Sequence, residues 1–66
     1  MLLLKARLEH ALAHNAAAIQ WYTKVIDTYP FSLPAYTERG ELYAEMGKTN
    51  EAADDAAKVA ELNAET

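Results

Sequence analysis

Apolar residues recur along this chain at helical spacing in four stretches separated by short polar or proline-marked breaks. In the first, Leu4, Leu8 and Leu12 are spaced four apart with Leu2 beside them, which predicts a helix over about residues 2–13 with that stripe turned inward. His14 and Asn15 mark the break, and Asn15 is the expected N-cap of a second helix running to about Thr28. There Ala18, Ile19, Tyr22, Val25 and Ile26 recur at intervals of three and four, which makes one buried stripe. Pro30 and Pro34 bracket a connection that cannot stay helical, because proline removes an amide donor and pushes the preceding residue out of the helical region. Ser32 is placed to cap a third helix, in whose first turn Pro34 is tolerated. That helix reads AYTERGELYAEMG and ends at Gly47, a residue suited to a left-handed C′ position. Thr49 or Asn50 opens the fourth, with Glu51, Asp54 and Asp55 near its positive end, and it fades by about Asn63.

Shifted by 34 residues, the chain lines up with itself. Leu8 falls on Leu42, Ala18 on Ala52, Lys24 on Lys58 and Val25 on Val59; Ala6 falls on Gly40, Leu12 on Met46 and Asp27 on Glu61. Each unit is a helix pair with an apolar face that it cannot bury alone, so the pairs must stack. The expected fold is therefore all-α: two antiparallel helix-turn-helix hairpins in a right-handed stack. Small residues at Ala6, Ala18, Gly40 and Ala52 allow close helix approach, and Tyr22, Tyr36 and Tyr43 fill the gaps.

Composition narrows this picture. A chain of 66 residues is one small domain, and such a domain buries only about 60% of the surface its unfolded form exposes. Alanine supplies much of the 52% hydrophobic content, so the core must rest on larger side chains. Those expected in it are Leu2, Leu8, Leu12, Ile19, Tyr22, Val25 and Ile26 from the first unit. From the second come Leu33, Tyr36, Leu42, Tyr43, Met46, Val59 and Leu62. The formal charge of −4 and the single, scattered lysines and arginines argue against a nucleic-acid partner, since phosphate neutralisation needs clustered bases. Glu51, Asp54, Asp55, Glu61 and Glu65 thicken the acidic charge toward the C-terminus, which reads first as a solvated helix face and second as a docking surface. Without cysteine there is no disulfide, thiolate nucleophile or thiolate metal site. The Leu2–Leu4 run is broken by Lys5 and Arg7, too soon for a secretory segment, and no stretch is long enough to span a bilayer. The expectation is a soluble protein, with the cytoplasm as the default compartment and no membrane partner.

Catalytic and cofactor chemistry finds no footing. Ser32 has no histidine and acid in a nucleophile context, and two glycines do not make a phosphate loop. His10 and His14 stand one helical turn apart, within reach of one metal ion, but Ala11 follows the first histidine where a zincin helix has glutamate, and no third ligand is evident. Solvated surface histidines are the expectation, with no metal and no cofactor. Trp21 stands beside the buried stripe and has two readings, a packing residue within the stack or an anchor in a protein contact.

These features resemble tandem tetratricopeptide repeats over nearly the whole chain, with one unit at about residues 1–32 and a second at about 33–66. The second carries the pattern in Tyr36, Gly40, Leu42, Tyr43, Gly47, Ala52 and Leu62. In the first, Ala6, Leu8, Ala18, Tyr22, Val25 and Pro30 match, but Glu9 stands where an aromatic is usual and Ala13 where a turn glycine is usual; the second unit has Ala64 in place of the terminal proline. The resemblance implies a protein–protein interaction module in which the first helix of each pair lines a concave groove for a protein or peptide. The implied groove residues are Leu3, Leu4, Arg7 and His10, then Thr37, Glu38, Glu41 and Glu45. A repeat that clamps a peptide's C-terminal carboxylate would show asparagine and lysine here, and Arg7, Thr37 and Glu41 do not fit it. Such arrays normally stack about three or more units. Ala53, Ala57 and Ala60, with Met46 nearby, are accordingly expected to await a further helix. A longer parent array, self-association through these residues or Trp21, and a bland exposed alanine surface remain open. Two functions follow: an adaptor module, or a structural unit that forms a homodimer or higher oligomer.

Overall fold

In the computed structural model, residues 2–64 are described and form four helices: α1 (Leu2–Ala11), α2 (Asn15–Thr28), α3 (Leu33–Glu45) and α4 (Thr49–Ala64). α1 packs on α2 and α3 on α4, each pair antiparallel across a short turn, and the two hairpins stack through α2 and α3. The molecule measures 33 × 27 × 15 Å. A slab this thin buries few side chains completely: Ala6, Ala18 and Ala35 are sealed where helices meet, along with the larger Tyr22, Val25 and Leu42.

The two turns are built alike. Ala13 N–H donates to the His10 carbonyl and His14 N–H to the Glu9 carbonyl, at 3.0 and 2.8 Å; Gly47 and Lys48 repeat the pattern on Ala44 and Tyr43, at 3.1 and 2.8 Å. These paired bonds close a helix through a left-handed residue. Gly47 takes that conformation with φ 78°, and Ala13 takes it with φ 63° although it carries a Cβ. The turn also shifts the start of α2. His14 both completes the turn and accepts the first helical bond, from Ala18 N–H at 2.9 Å, so His14 is the N-cap and Asn15 already lies within the helix. Ser32 does stand at the N-cap of α3, but its side chain makes no capping bond.

α1 departs from the expected pattern. Leu4, Leu8 and Leu12 are more than half exposed, and Ala6 is the buried residue of this helix, flanked by the half-buried Leu2 and Leu3. At about 100° per residue, positions 4, 8 and 12 point away from the side that Leu2, Leu3 and Ala6 turn to α2. The stripe is real, but none of the described helices lies over it, so Leu8 and Leu12 are not core residues.

Gly40 lets α3 lie close against α4. A Cβ there would lie 3.1 Å from that of Asp55. Asp55 itself is 97% buried by its 3% exposure, which overturns its reading as part of a solvated acidic face. It falls on the inward stripe Ala52, Asp55, Val59 and Leu62 of α4, spaced three, four and three.

Candidate functional site

Two surfaces carry the chemistry of this chain, an ionic face shared by α1 and α3 and an apolar groove between α3 and α4. On the first, the Glu38 carboxylate accepts hydrogen bonds from Arg7 Nε (2.9 Å) and Nη2 (2.7 Å) and from the Tyr22 hydroxyl (2.9 Å). The bond from Arg7 holds the Glu38 carboxyl below its usual range and raises the Arg7 guanidinium in turn. Burial, reinforced by the bond to Glu38, pushes the Tyr22 hydroxyl well above its ordinary pKa. One turn along, His10 Nε2 lies 3.1 Å from Glu45 Oε2. Both contacts cross between the hairpins, so this face is stapled as well as charged. Solvent keeps each exposed ion pair weak, about 0–1 kcal/mol. The half-buried Tyr22–Glu38 bond fixes the geometry.

Beneath this face, Arg39 grips Asp55 with two parallel bonds, Nε to Oδ2 at 2.9 Å and Nη2 to Oδ1 at 2.7 Å. Its third nitrogen, Nη1, donates to Thr23 Oγ1 of α2 at 3.2 Å, and the guanidinium sits 5.8 and 5.7 Å from the ring centroids of Tyr36 and Tyr43. The bond to Asp55 raises the Arg39 pKa further. Trp21 packs on the core edge with Lys5 and Lys24 over its ring, at 5.1 and 5.4 Å.

The groove is of another kind. Tyr36, Gly40 and Ala44 from α3 and Ala52, Ala56 and Val59 from α4 form its walls, Thr37 and Glu41 stand at its rim, and it encloses about 410 Å³. Ala53, Ala57 and Ala60 are exposed on the neighbouring side of α4, and Met46 packs instead against the core between the hairpins.

The sequence-derived groove residues thus fall into separate settings. Arg7, His10, Glu38 and Glu45 come together as two cross-hairpin pairs. Thr37 and Glu41 border the apolar groove. Leu3 is half-buried against the core, and Leu4 is exposed with Leu8 and Leu12. His10 and His14 turn to different glutamates, Glu45 and Glu9, with His14 Nδ1 2.9 Å from Glu9 Oε2. Among the described residues no group of three or more histidines and carboxylates could hold a metal ion, and no helix is long and apolar enough to cross a membrane. What the sequence reading missed is the Arg39–Asp55 pair and the Ala56 wall of the groove. The signal for the first was a carboxylate on an apolar stripe; for the second it was alanine at the position where the first unit has Tyr22.

Compared with known proteins, residues 33–66 match a family model described as a tetratricopeptide repeat. Neither the curated proteins nor the solved structures give a match.

Proposed function

The chain belongs to the tetratricopeptide-repeat family, and from that premise we propose that it is a protein–protein interaction module without catalysis of its own, binding a protein or peptide along the α1/α3 face. The observation that carries this reading is the way α3 presents charge there. Thr37, Glu41 and Glu45 are exposed at intervals of four with Glu38 beside them. Glu38 and Glu45 are occupied by Arg7 and His10, while Glu41 makes no ion pair among the described residues. Such a face favours a partner segment that brings a basic residue to Glu41 and lays its backbone across Thr37 and the Arg7–Glu38 pair. Titration calorimetry against peptides of one sequence carrying lysine, glutamine or glutamate at a central position tests this. Lysine peptides are expected to bind best and a Glu41→Lys variant to reverse the order; an order indifferent to that variant removes Glu41 from the site.

A second reading, as a self-assembling structural unit, is favoured by the exposed leucines of α1 and the apolar α3/α4 groove. Ala53, Ala57 and Ala60 stand exposed on the neighbouring side of α4, whereas Met46 and Trp21 pack against the core.

A further inference from the structure

The seat that α3 occupies on the first hairpin recurs, uncovered, on the second. α3 turns Glu38, Leu42, Glu45 and Met46 to that hairpin: Leu42 and Met46 pack into the cluster with Ala6, Ala18, Tyr22 and Val25, and the two glutamates meet Arg7 and His10. Moved along by the 34-residue repeat, Ala6, Ala18 and Val25 become Gly40, Ala52 and Val59, which line the solvent-facing groove. The groove is the same seat without its helix.

The helix that matches it is α1. In the same register, the α1 counterparts of Glu38, Leu42, Glu45 and Met46 are Leu4, Leu8, Ala11 and Leu12. The leucines are 58%, 57% and 54% exposed and form one unpartnered stripe. The differences between the two seats are matched to the differences between the two helices. Within the chain, Tyr22 and Arg7 hold Glu38; in the groove Ala56 and Glu41 stand at those positions, and α1 brings Leu4 in place of the glutamate. The space that the Tyr22 ring fills in one seat is vacant in the other, and a leucine side chain can enter it. The pair His10 and Glu45 likewise becomes Ala44 and Ala11, so the contacts of Tyr22 with Glu38 and of His10 with Glu45 are exchanged for apolar ones, while Glu41 replaces Arg7 at the groove's rim.

We infer that α1 of a second copy docks in the α3/α4 groove, in the register that α3 takes on the first hairpin. This rests on the self-assembly reading and specifies its interface. The contact is heterologous, joining different surfaces of the two copies, and it repeats the step between hairpins within one chain. Each added copy leaves a free groove at one end and a free leucine stripe at the other, so growth is open-ended and superhelical.

Light scattering coupled to size exclusion over a wide concentration range, with circular dichroism on the same samples, tests this with two variants. Leu8→Glu disables the stripe and Ala56→Lys fills the groove; both positions are exposed, so helicity is expected to be retained. The wild type should grow in mass with concentration without a plateau, and each variant alone should stay monomeric. Mixed in equal amounts, the variants should form a one-to-one dimer and stop, because only the intact groove of the first can take the intact stripe of the second. A wild type that stays monomeric overturns both the inference and the self-assembly reading. A wild type that associates while the mixture gives no dimer, or while either variant alone still grows, leaves self-assembly standing and overturns this interface.

Discussion

At matching points of the two hairpins, the first sets Lys5 over the ring of Trp21 at 5.1 Å, whereas the second locks Arg39 to Asp55 through two bonds at 2.9 and 2.7 Å. Lys5 corresponds to Arg39 and Trp21 to Asp55, so one backbone arrangement carries either a cation against an aromatic face or a buried ion pair. The two are unequal in what they tolerate. A partly exposed cation–π contact contributes about 0.5–1 kcal/mol and fails gently. A buried pair adds little by itself, but removing one partner strands the other charge. The same contrast holds for Leu8 and Leu42, which are equivalent in sequence yet 57% and 0% exposed. Repetition of sequence fixes the shape of each hairpin, and the neighbour on each side fixes what a position is for.

The sharpest way to break this comparison is at the leucines. Leu42→Ala should cost about 3–4 kcal/mol through lost burial and the cavity left behind, enough to unfold much of so small a domain. Leu8→Ala in dilute protein should stay within about 0.5 kcal/mol. Urea unfolding followed by circular dichroism reads both, and equal losses would mean that α3 is not seated on the first hairpin. Next come the paired cations. Asp55→Ala should cost about 2–3 kcal/mol, below the range for a fully enclosed pair because Arg39 keeps a path to solvent at 17% exposure. Trp21→Ala should cost about 1–2 kcal/mol, since only part of the ring is buried; a larger loss there than at Asp55 would reverse the ranking of the hairpins.

The turns sharpen the comparison further, because they share a conformation and differ in residue. Gly47→Ala is expected to destabilise by about 1 kcal/mol and Ala13→Gly to stabilise by up to about 1 kcal/mol. Thermal melts of the two variants should therefore move in opposite directions. The smallest effect is in pH. The folded-state pKa of Glu38 is lowered, so its contribution is complete above the unfolded value of 4.5 and fades as pH falls through the folded value. The Tyr22 pKa is raised, so its contribution is complete below the unfolded value of 10.0 and fades as pH rises above it. Glu38→Gln should flatten the acid limb of a stability profile and weaken the limb set by Tyr22 ionisation without abolishing it, because burial is the larger cause of the raised Tyr22 pKa; an unchanged acid limb would show that other carboxylates dominate it.

Turn residues and the repeat period were legible along the chain at most of the element boundaries. Pro30 and Pro34 end one helix and open the next, Gly47 closes the third, and the 34-residue repeat sets two hairpins of one design. Local rules misplaced the cap at Asn15 by one residue, because His14 serves the end of α1 and the start of α2 together. The stripe Leu4, Leu8 and Leu12 shows the limit more clearly. Periodicity states that one face of a helix is apolar, but whether that face is covered depends on a segment far away in the chain.

Thus the sequence by itself determined the helices, their turns, the pairing into hairpins and the family, because helical hydrogen bonding is local and the 34-residue repeat shows along the chain without knowledge of what packs on what. Tertiary structure alone decided that Asp55 is buried against Arg39, that Arg7 reaches Glu38 across 31 residues, and that α1 turns Ala6 inward and its leucines out. Burial and charge pairing are set by the distance between side chains in space. In this chain that distance is fixed by how one hairpin seats on the other, which no local pattern contains.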